Sequence, residues 1–197
     1  AMMRTLGKIG FHQSYTYFAW RNTKDELIEY MMELSKDTAH LLRPAFWPTT
    51  HDILTPFMTN GKVPAFKLRA VLAATLSPTW GIYSGYELAE STPRPGYEEQ
   101  IDNEKYEYRP RDYSGEPNLS VLITRLNEIR REHPALQQLR DVTIHHAPDD
   151  RILVFSKKSG SDVVIVAVSL DPVWGASSQV MLDMAALGLR SDAQFDV

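Results

Sequence analysis

The residues of this chain best suited to chemistry stand together as His51-Asp52, inside the stretch RPAFWPTTHDILT that runs from residue 43 to 55. A short apolar and aromatic run, Ala45-Phe46-Trp47, ends at Pro48 and passes into Thr49 and Thr50 before the imidazole and the carboxylate. That is the pattern of a buried parallel strand whose carboxyl end opens into a polar loop. In barrels of alternating strands and helices, catalytic groups sit at that end of the strand. Asp52 is therefore a candidate catalytic carboxylate from its position. The plainer reading is a turn former or a helix cap, and for His51 a loop histidine satisfied by backbone. Other groups are weaker candidates. Lys105 and Tyr106 lie in the charged run Asp102 to Glu107, which by itself describes a solvated surface. His12, Gln13, Tyr15 and Tyr17 could face a groove, but packing and loop hydrogen bonds explain them equally well. His145 and His146 are neighbours on an expected strand, where adjacent side chains point to opposite faces, so one metal ion could not easily take both.

The elements that must position these groups alternate. Met2, Met3, Leu6 and Ile9 recur at helical spacing up to a stop at Gly10. Residues 11–18 are rich in strand formers and are followed by a helix starting at Asn22 or Thr23, with Asp25 and Glu26 in its first turn. Leu27, Ile28, Met31, Met32 and Leu34 give that helix one apolar side. The strand at 45–48 comes next, then a largely buried helix over 63–76, with Pro64 tolerated in its first turn and Ser77-Pro78 at its end. The third strand covers 79–84. A polar segment over 91–117, with four prolines and several tyrosines, has the length of a functional loop. An amphipathic helix over 119–139 follows, ended or bent by Pro134.

From Asp141 the pattern changes to short strands at 142–144, 152–155 and 163–168, with one more at 180–182. Three strand–helix units before such hairpin-spaced strands make an α/β chain: the last part of a (β/α)8 TIM barrel, which needs eight units when closed, then the start of an antiparallel β-sandwich domain. The expected boundaries are 1–139 for the barrel part and 140–197 for the partial β domain.

Hydrophobic residues make up 43% of the chain and charged residues 23%, an ordinary globular composition. A net charge of −4 argues against a nucleic-acid or anionic-membrane surface, so no nucleic acid and no membrane partner is expected. Without cysteine there is no disulfide framework, thiolate metal site or thiol nucleophile. Together with the lack of a signal peptide or a membrane-length apolar run, this fits a cytoplasmic location. No glycine-rich phosphate loop, zinc spacing or basic patch is present, so no cofactor and no metal are expected. Aromatic content of 10% suits a sugar-binding surface, although core packing explains any single ring. A partial barrel leaves strand edges and apolar faces uncovered, so a homo-oligomer is expected.

The His51-Asp52 strand end, the run WGIYSGYE over 80–87 and a trailing β domain resemble the α-amylase superfamily, glycoside hydrolase family thirteen. In that family His-Asp closes the seventh barrel strand, and Ile-Tyr-x-Gly-x-Glu marks the eighth. Two further stretches, GFHQSYTYFAWR over 10–21 and DNEKYEYRPRD over 102–112, are similar to maltosyltransferases that use maltose 1-phosphate to extend α-1,4-glucans. The resemblance covers essentially the whole chain. It implies a retaining glycosyltransferase with maltose 1-phosphate and α-glucan as substrates, acting by double displacement with release of phosphate. Asp52 matches the third acid of that site, a transition-state stabiliser that grips the 2- and 3-hydroxyls of the reacting sugar. His51 matches a contact to the same sugar, and Lys105 and Tyr106 match the lining of the donor pocket. Neither the nucleophile nor the acid/base glutamate is found in these residues. Glu87 and Glu90 follow the eighth strand and do not replace them. The chain thus reads as a C-terminal fragment that is inactive by itself. The alternatives are a fragment of an α-glucan hydrolase, or a non-catalytic module for glucan binding or assembly.

Overall fold

The computed structural model describes residues 2–104 and 108–192. Two small sheets share one core, and the helices between the first three strands cover both. Helix α1 spans Met2–Lys8 and leads into strand β1, Gln13–Tyr15. Helix α2, Lys24–Met32, starts at a complete capping box. The Thr23 side chain accepts from the Glu26 amide, and the Glu26 carboxylate accepts from the amides of Asn22 and Thr23. Leu27, Tyr30, Met31 and Leu34 form its buried side, as their spacing predicts. A π-turn over Glu33–Asp37 ends it.

Strand β2, Arg43–Phe46, lies parallel between β1 and β3, Thr79–Trp80. Ser14 stands opposite Pro44 and Phe46 opposite Trp80. Pro44 lacks an amide to donate, but its carbonyl accepts from the buried Ser77 hydroxyl at 2.9 Å. The helical stretch α3 runs Pro56–Leu76 and breaks at Lys62, whose φ of 47° and ψ of −138° are not helical. The second half is the predicted helix, with Pro64 in its first turn where a missing amide costs nothing. It is apolar on nearly every side because both sheets pack against it.

Helix α4 spans Ser120–Glu132, and Pro134 begins a separate 3-10 turn over Pro134–Gln137. The helix predicted to reach residue 139 thus stops at His133, whose extended backbone is what a following proline demands. Strands β4, Val142–His145, β5, Ile152–Ser159, and β6, Asp162–Ser169, form an antiparallel sheet in sequence order. Ser159 pairs with Asp162 across a two-residue hairpin in which Gly160 takes φ +61°. A short helix α5, Met184–Leu187, follows. Instead of the strand predicted over 180–182, a single bridge joins Met181 to His146.

Two predicted strands are shorter than their composition suggests. Residues 11–18 give only three strand positions because Tyr17–Trp20 coils into a 3-10 turn, whose Tyr17 amide donates to the buried Tyr30 hydroxyl. Residues 79–84 give two, because Gly81 lies flat against the Trp47 indole. A Cβ at Gly81 would come within 2.5 Å of that ring.

The shared core joins Phe18, Phe46, Leu72 and Leu76 of the first half to Val142, Leu153, Phe155 and Val168 of the second. Phe18 and Phe46 stack at 4.3 Å. Two buried cations stand in this region without a carboxylate partner among the described residues. The Arg69 guanidinium lies 3.7 Å over the Phe18 ring and donates to the carbonyls of Phe18 and Arg21. Burial pulls it down to about 9. Lys157 on β5 donates to the carbonyls of Gln138 and Leu76, and burial pulls it down to about 7. Arg130 of α4 takes the neighbouring carbonyls of Ala74, Ser77 and Pro78 at the end of α3. No helix among the described residues is long and apolar enough to cross a membrane.

Candidate functional site

The loop after β2 folds tightly. Thr50 and Ile53 exchange backbone hydrogen bonds of 3.0 and 3.4 Å, which puts His51 and Asp52 at the tip of a turn. The Thr50 hydroxyl donates to Asp52 Oδ1 at 2.7 Å, and His51 Nδ1 stands 3.6 Å from the same oxygen. Both side chains are exposed, at 59% and 61%. One carboxylate oxygen is thus held by its own turn, while Oδ2 has no partner among the described residues.

The turn is gripped from behind by the segment after residue 91. The His51 carbonyl accepts from the Gln100 amide at 3.0 Å and from Asn103 Nδ2 at 3.1 Å. The Leu54 amide donates to the Glu98 carbonyl at 2.6 Å. The imidazole and the carboxylate therefore cannot swing away without breaking bonds that belong to another loop.

The loop after β3 makes the opposite wall. Tyr83 faces His51 with ring centres 6.1 Å apart. Between the two loops opens a cleft of about 570 Å³, lined by His51, Tyr83, Ser84, Asp102, Asn103, Glu104, Tyr108, Arg109 and Arg111. Asp52 is not part of that lining. Glu90 ties the walls together. Arg111 grips its carboxylate with both arms at 2.9 and 3.1 Å, and Arg109 stands 3.7 Å away. Arg111 also donates to the Ser84 hydroxyl at 3.2 Å. The Glu90 hydrogen bond raises Arg111 above its ordinary pKa. Gly85, at φ +94°, lies so close that a Cβ would sit 2.2 Å from the Glu90 carboxylate.

Of the sequence candidates, the structure brings His51 and Asp52 together on one turn. Lys105 and Tyr106 lie outside the described residues, although Glu104 and Tyr108 on either side of them line the cleft. Tyr15 packs edge-on against Trp47 at 5.6 Å, and Tyr17 tilts against Trp20. His145 is buried, bonded to Ser156 Oγ and to the Asp183 amide, whereas His146 points outward. Glu87 accepts from the Gly85 amide, and Glu90 is committed to Arg111, so both hold the loop. Sequence reasoning missed the Glu90–Arg111 clamp, the Asn103 brace and Tyr83. Opposite charges at 90 and 111 were the only signal for the clamp, and they read as solvated surface. The groups collected around the cleft, carboxylates, an amide, rings and two arginines, suit a hydroxyl-rich ligand.

Residues 144–197 match the protein family described as GLGE, C-terminal. The chain is 54% identical over 198 residues to an alpha-1,4-glucan:maltose-1-phosphate maltosyltransferase of Arcanobacterium haemolyticum, covering 95% of this chain and 29% of that protein. It is 55% identical to alpha-1,4-glucan:maltose-1-phosphate maltosyltransferase 2 of Streptomyces coelicolor, covering 96% and 29%. A Mycolicibacterium smegmatis protein of the same name is 47% identical, with 99% and 29% covered. The chain thus spans about three-tenths of the length of these relatives. Among solved structures, an alpha-amylase from H. orenii superposes with a TM-score of 0.65 at 15% identity, covering 86% of this chain and 41% of that one. An alpha-amylase from Geobacillus thermoleovorans complexed with acarbose gives 0.64 at 13% identity, covering 86% and 39%. Such low identities show likeness of fold alone.

Proposed function

The chain is a homologue of the alpha-1,4-glucan:maltose-1-phosphate maltosyltransferases, matching about 29% of their length, and from that kinship we propose that the intact protein transfers maltosyl units from maltose 1-phosphate to the non-reducing ends of α-1,4-glucans, releasing phosphate. The three parallel strands with their helices are then the closing part of a (β/α)8 barrel, residues 1–139, and residues 140–197 begin an antiparallel β-sandwich.

In this reading Asp52 is the transition-state stabiliser. Its Oδ1 is kept in place by Thr50, which leaves Oδ2 as an acceptor for adjacent sugar hydroxyls. Hydrogen bonds of that kind strengthen as the ring flattens towards an oxocarbenium ion, so they favour the transition state over the bound substrate. His51 binds the same sugar from the other side of the turn. Lys105 and Tyr106, between Glu104 and Tyr108 in the sequence, match donor-pocket positions through the family resemblance alone. The chemistry of a retaining transfer also needs a nucleophilic carboxylate and an acid/base glutamate about 5 Å apart. The resemblance matches neither of these two to a residue of this chain, so in this reading the 197-residue chain is inactive by itself.

The observation that carries this reading is the His51-Asp52 turn, braced by Gln100 and Asn103 and opening on the Tyr83 cleft. The test is phosphate release from maltose 1-phosphate with added glucan. The intact protein is expected to release it and to lengthen the glucan by two glucose units per phosphate. Reducing sugar set free from starch without phosphate release would instead make the protein a hydrolase. Phosphate release by the isolated chain would overturn the division of labour.

A further inference from the structure

We propose that Glu90 is a positioning residue for the donor sugar. Through Arg111 it sets the width of the cleft between Tyr83 and the His51 turn, without entering the chemistry itself. The inference takes its substrate from the proposed function and its device from the contacts around Glu90.

Glu90 and Arg111 are 21 residues apart in the chain and close the base of the loop that braces the His51 turn. Arg111 meets both carboxylate oxygens, and the two side chains are only 10% and 21% exposed. Towards one wall, Arg111 donates to the hydroxyl of Ser84, the neighbour of Tyr83, and that hydroxyl lies 3.4 Å from the Tyr113 hydroxyl. Towards the other wall, Arg109 stands 3.7 Å from the same carboxylate and donates to the Ile101 carbonyl at 3.0 Å. The adjacent Gln100 amide in turn holds the His51 carbonyl. One carboxylate therefore governs both walls of the cleft.

The surroundings of the pair favour positioning over stability. Both guanidiniums line the cleft, whereas Glu90 does not. The hydrogen-bond partners of Arg111 are Glu90, the Ser84 hydroxyl and the Arg109 carbonyl, and none of these residues belongs to the apolar clusters of the core. A partly buried ion pair adds little net stability, since desolvation offsets much of its attraction. What a two-pronged pair fixes is direction. The backbone at Gly85 has no room for a Cβ against Glu90 and Arg111, so the Tyr83 wall is packed directly on the pair. A wall displaced by about 1 Å is enough to misplace a bound sugar. Asp52 stands outside the cleft lining, so the pair acts on the donor away from its reacting bond. Contacts of that kind work equally in the bound substrate and the transition state, and their loss appears in KM.

Steady-state phosphate release by the intact enzyme tests this, with a thermal melt of each variant alongside. Glu90→Gln, which keeps the shape and loses the charge, is expected to raise KM for maltose 1-phosphate about tenfold, with kcat changed far less. Arg111→Lys, which keeps the charge and loses the fork, is expected to do the same. The double variant should be no worse than either single one, because both remove one device. An unchanged KM overturns the inference, and so does a fall in kcat and Tm with KM untouched, which is the mark of a purely structural pair. Additive effects in the double variant, or loss of the fold in both single variants, overturn it as well. Equilibrium binding of maltose, read by calorimetry, separates this inference from the reading it rests on. A wild type that releases no phosphate defeats the proposed function, while maltose binding still decides the role of Glu90. Binding about tenfold weaker in Glu90→Gln supports that role. Equal binding in the two proteins, or a wild type that binds no maltose, overturns it.

Discussion

At the residue scale, Asp52 shows how position and partner divide the information. Its place after an apolar run ending at Pro48 was enough to single it out, because strand ends are where loops begin and loops carry polar groups. What the sequence does not show is that Thr50 fastens one oxygen and that Gln100 and Asn103 hold the turn from behind. The Thr50 contact is local to the turn, and the Gln100 and Asn103 contacts cross about fifty residues and exist only once both loops are folded. Glu90 and Arg111 were unreadable for the same reason, and Lys105 and Tyr106 were named through family resemblance alone. The role given to Asp52 makes a kinetic prediction. In the intact enzyme, Asp52→Asn keeps the shape of the turn and the Thr50 contact but removes the negative charge near the developing oxocarbenium. Phosphate release is expected to fall roughly 10²–10⁴-fold in kcat, with KM changed far less, as for other groups that act mainly in the transition state. A loss confined to KM would make Asp52 a ground-state sugar contact only.

At the element scale, the start of α2 and the break at Pro134 were legible, and strand lengths and the helical turns before Lys62 were not. Thr23 and Glu26 have the spacing of a capping box, and Pro134 cannot be continued into from α4, so local chemistry fixed both ends. Strands are set by pairing. β1 ends where the Tyr30 hydroxyl captures the Tyr17 amide, and β3 ends where Trp47 needs a residue without a side chain. Neither reason is written in the strand formers themselves. The capping box has a measurable consequence. Thr23→Ala removes the acceptor for the Glu26 amide and is expected to cost about 1 kcal/mol, lowering Tm by about 3 °C in a chain of this size. Thr23→Ser should recover most of that loss in the same thermal melt. An unchanged Tm would mean that tertiary packing, with no help from the cap, holds α2.

At the scale of the whole molecule, the two sheets are held together by cations as well as by apolar contact. Lys157 leaves β5 to reach the carbonyls of Leu76 and Gln138, with Arg130 bound to the next carbonyls along, so two positive charges meet the negative end of α3. That arrangement replaces the carboxylate a buried ammonium usually finds. Desolvation by burial comes first and repulsion from Arg130 second in drawing Lys157 from 10.5 down to about 7. The unfolded chain therefore binds a proton over a pH range where the folded chain does not. Stability must then rise with pH across that window, and it must fall as the pH drops from about 10 towards 7 and level off below. Arg69, drawn down to about 9, adds to the rise from there, and Tyr86, pushed upward by burial, opposes it once unfolded tyrosine ionises near pH 10, so the clean range is pH 7 to 8.5. Denaturant unfolding across that range should show stability rising by about 1.5 kcal/mol in the wild type. In Lys157→Met, which keeps the length of the side chain and loses the titrating group, the rise should disappear. Parallel pH dependences in the two proteins would show that Lys157 stays charged at the junction, with its carbonyl partners repaying the full cost of burial.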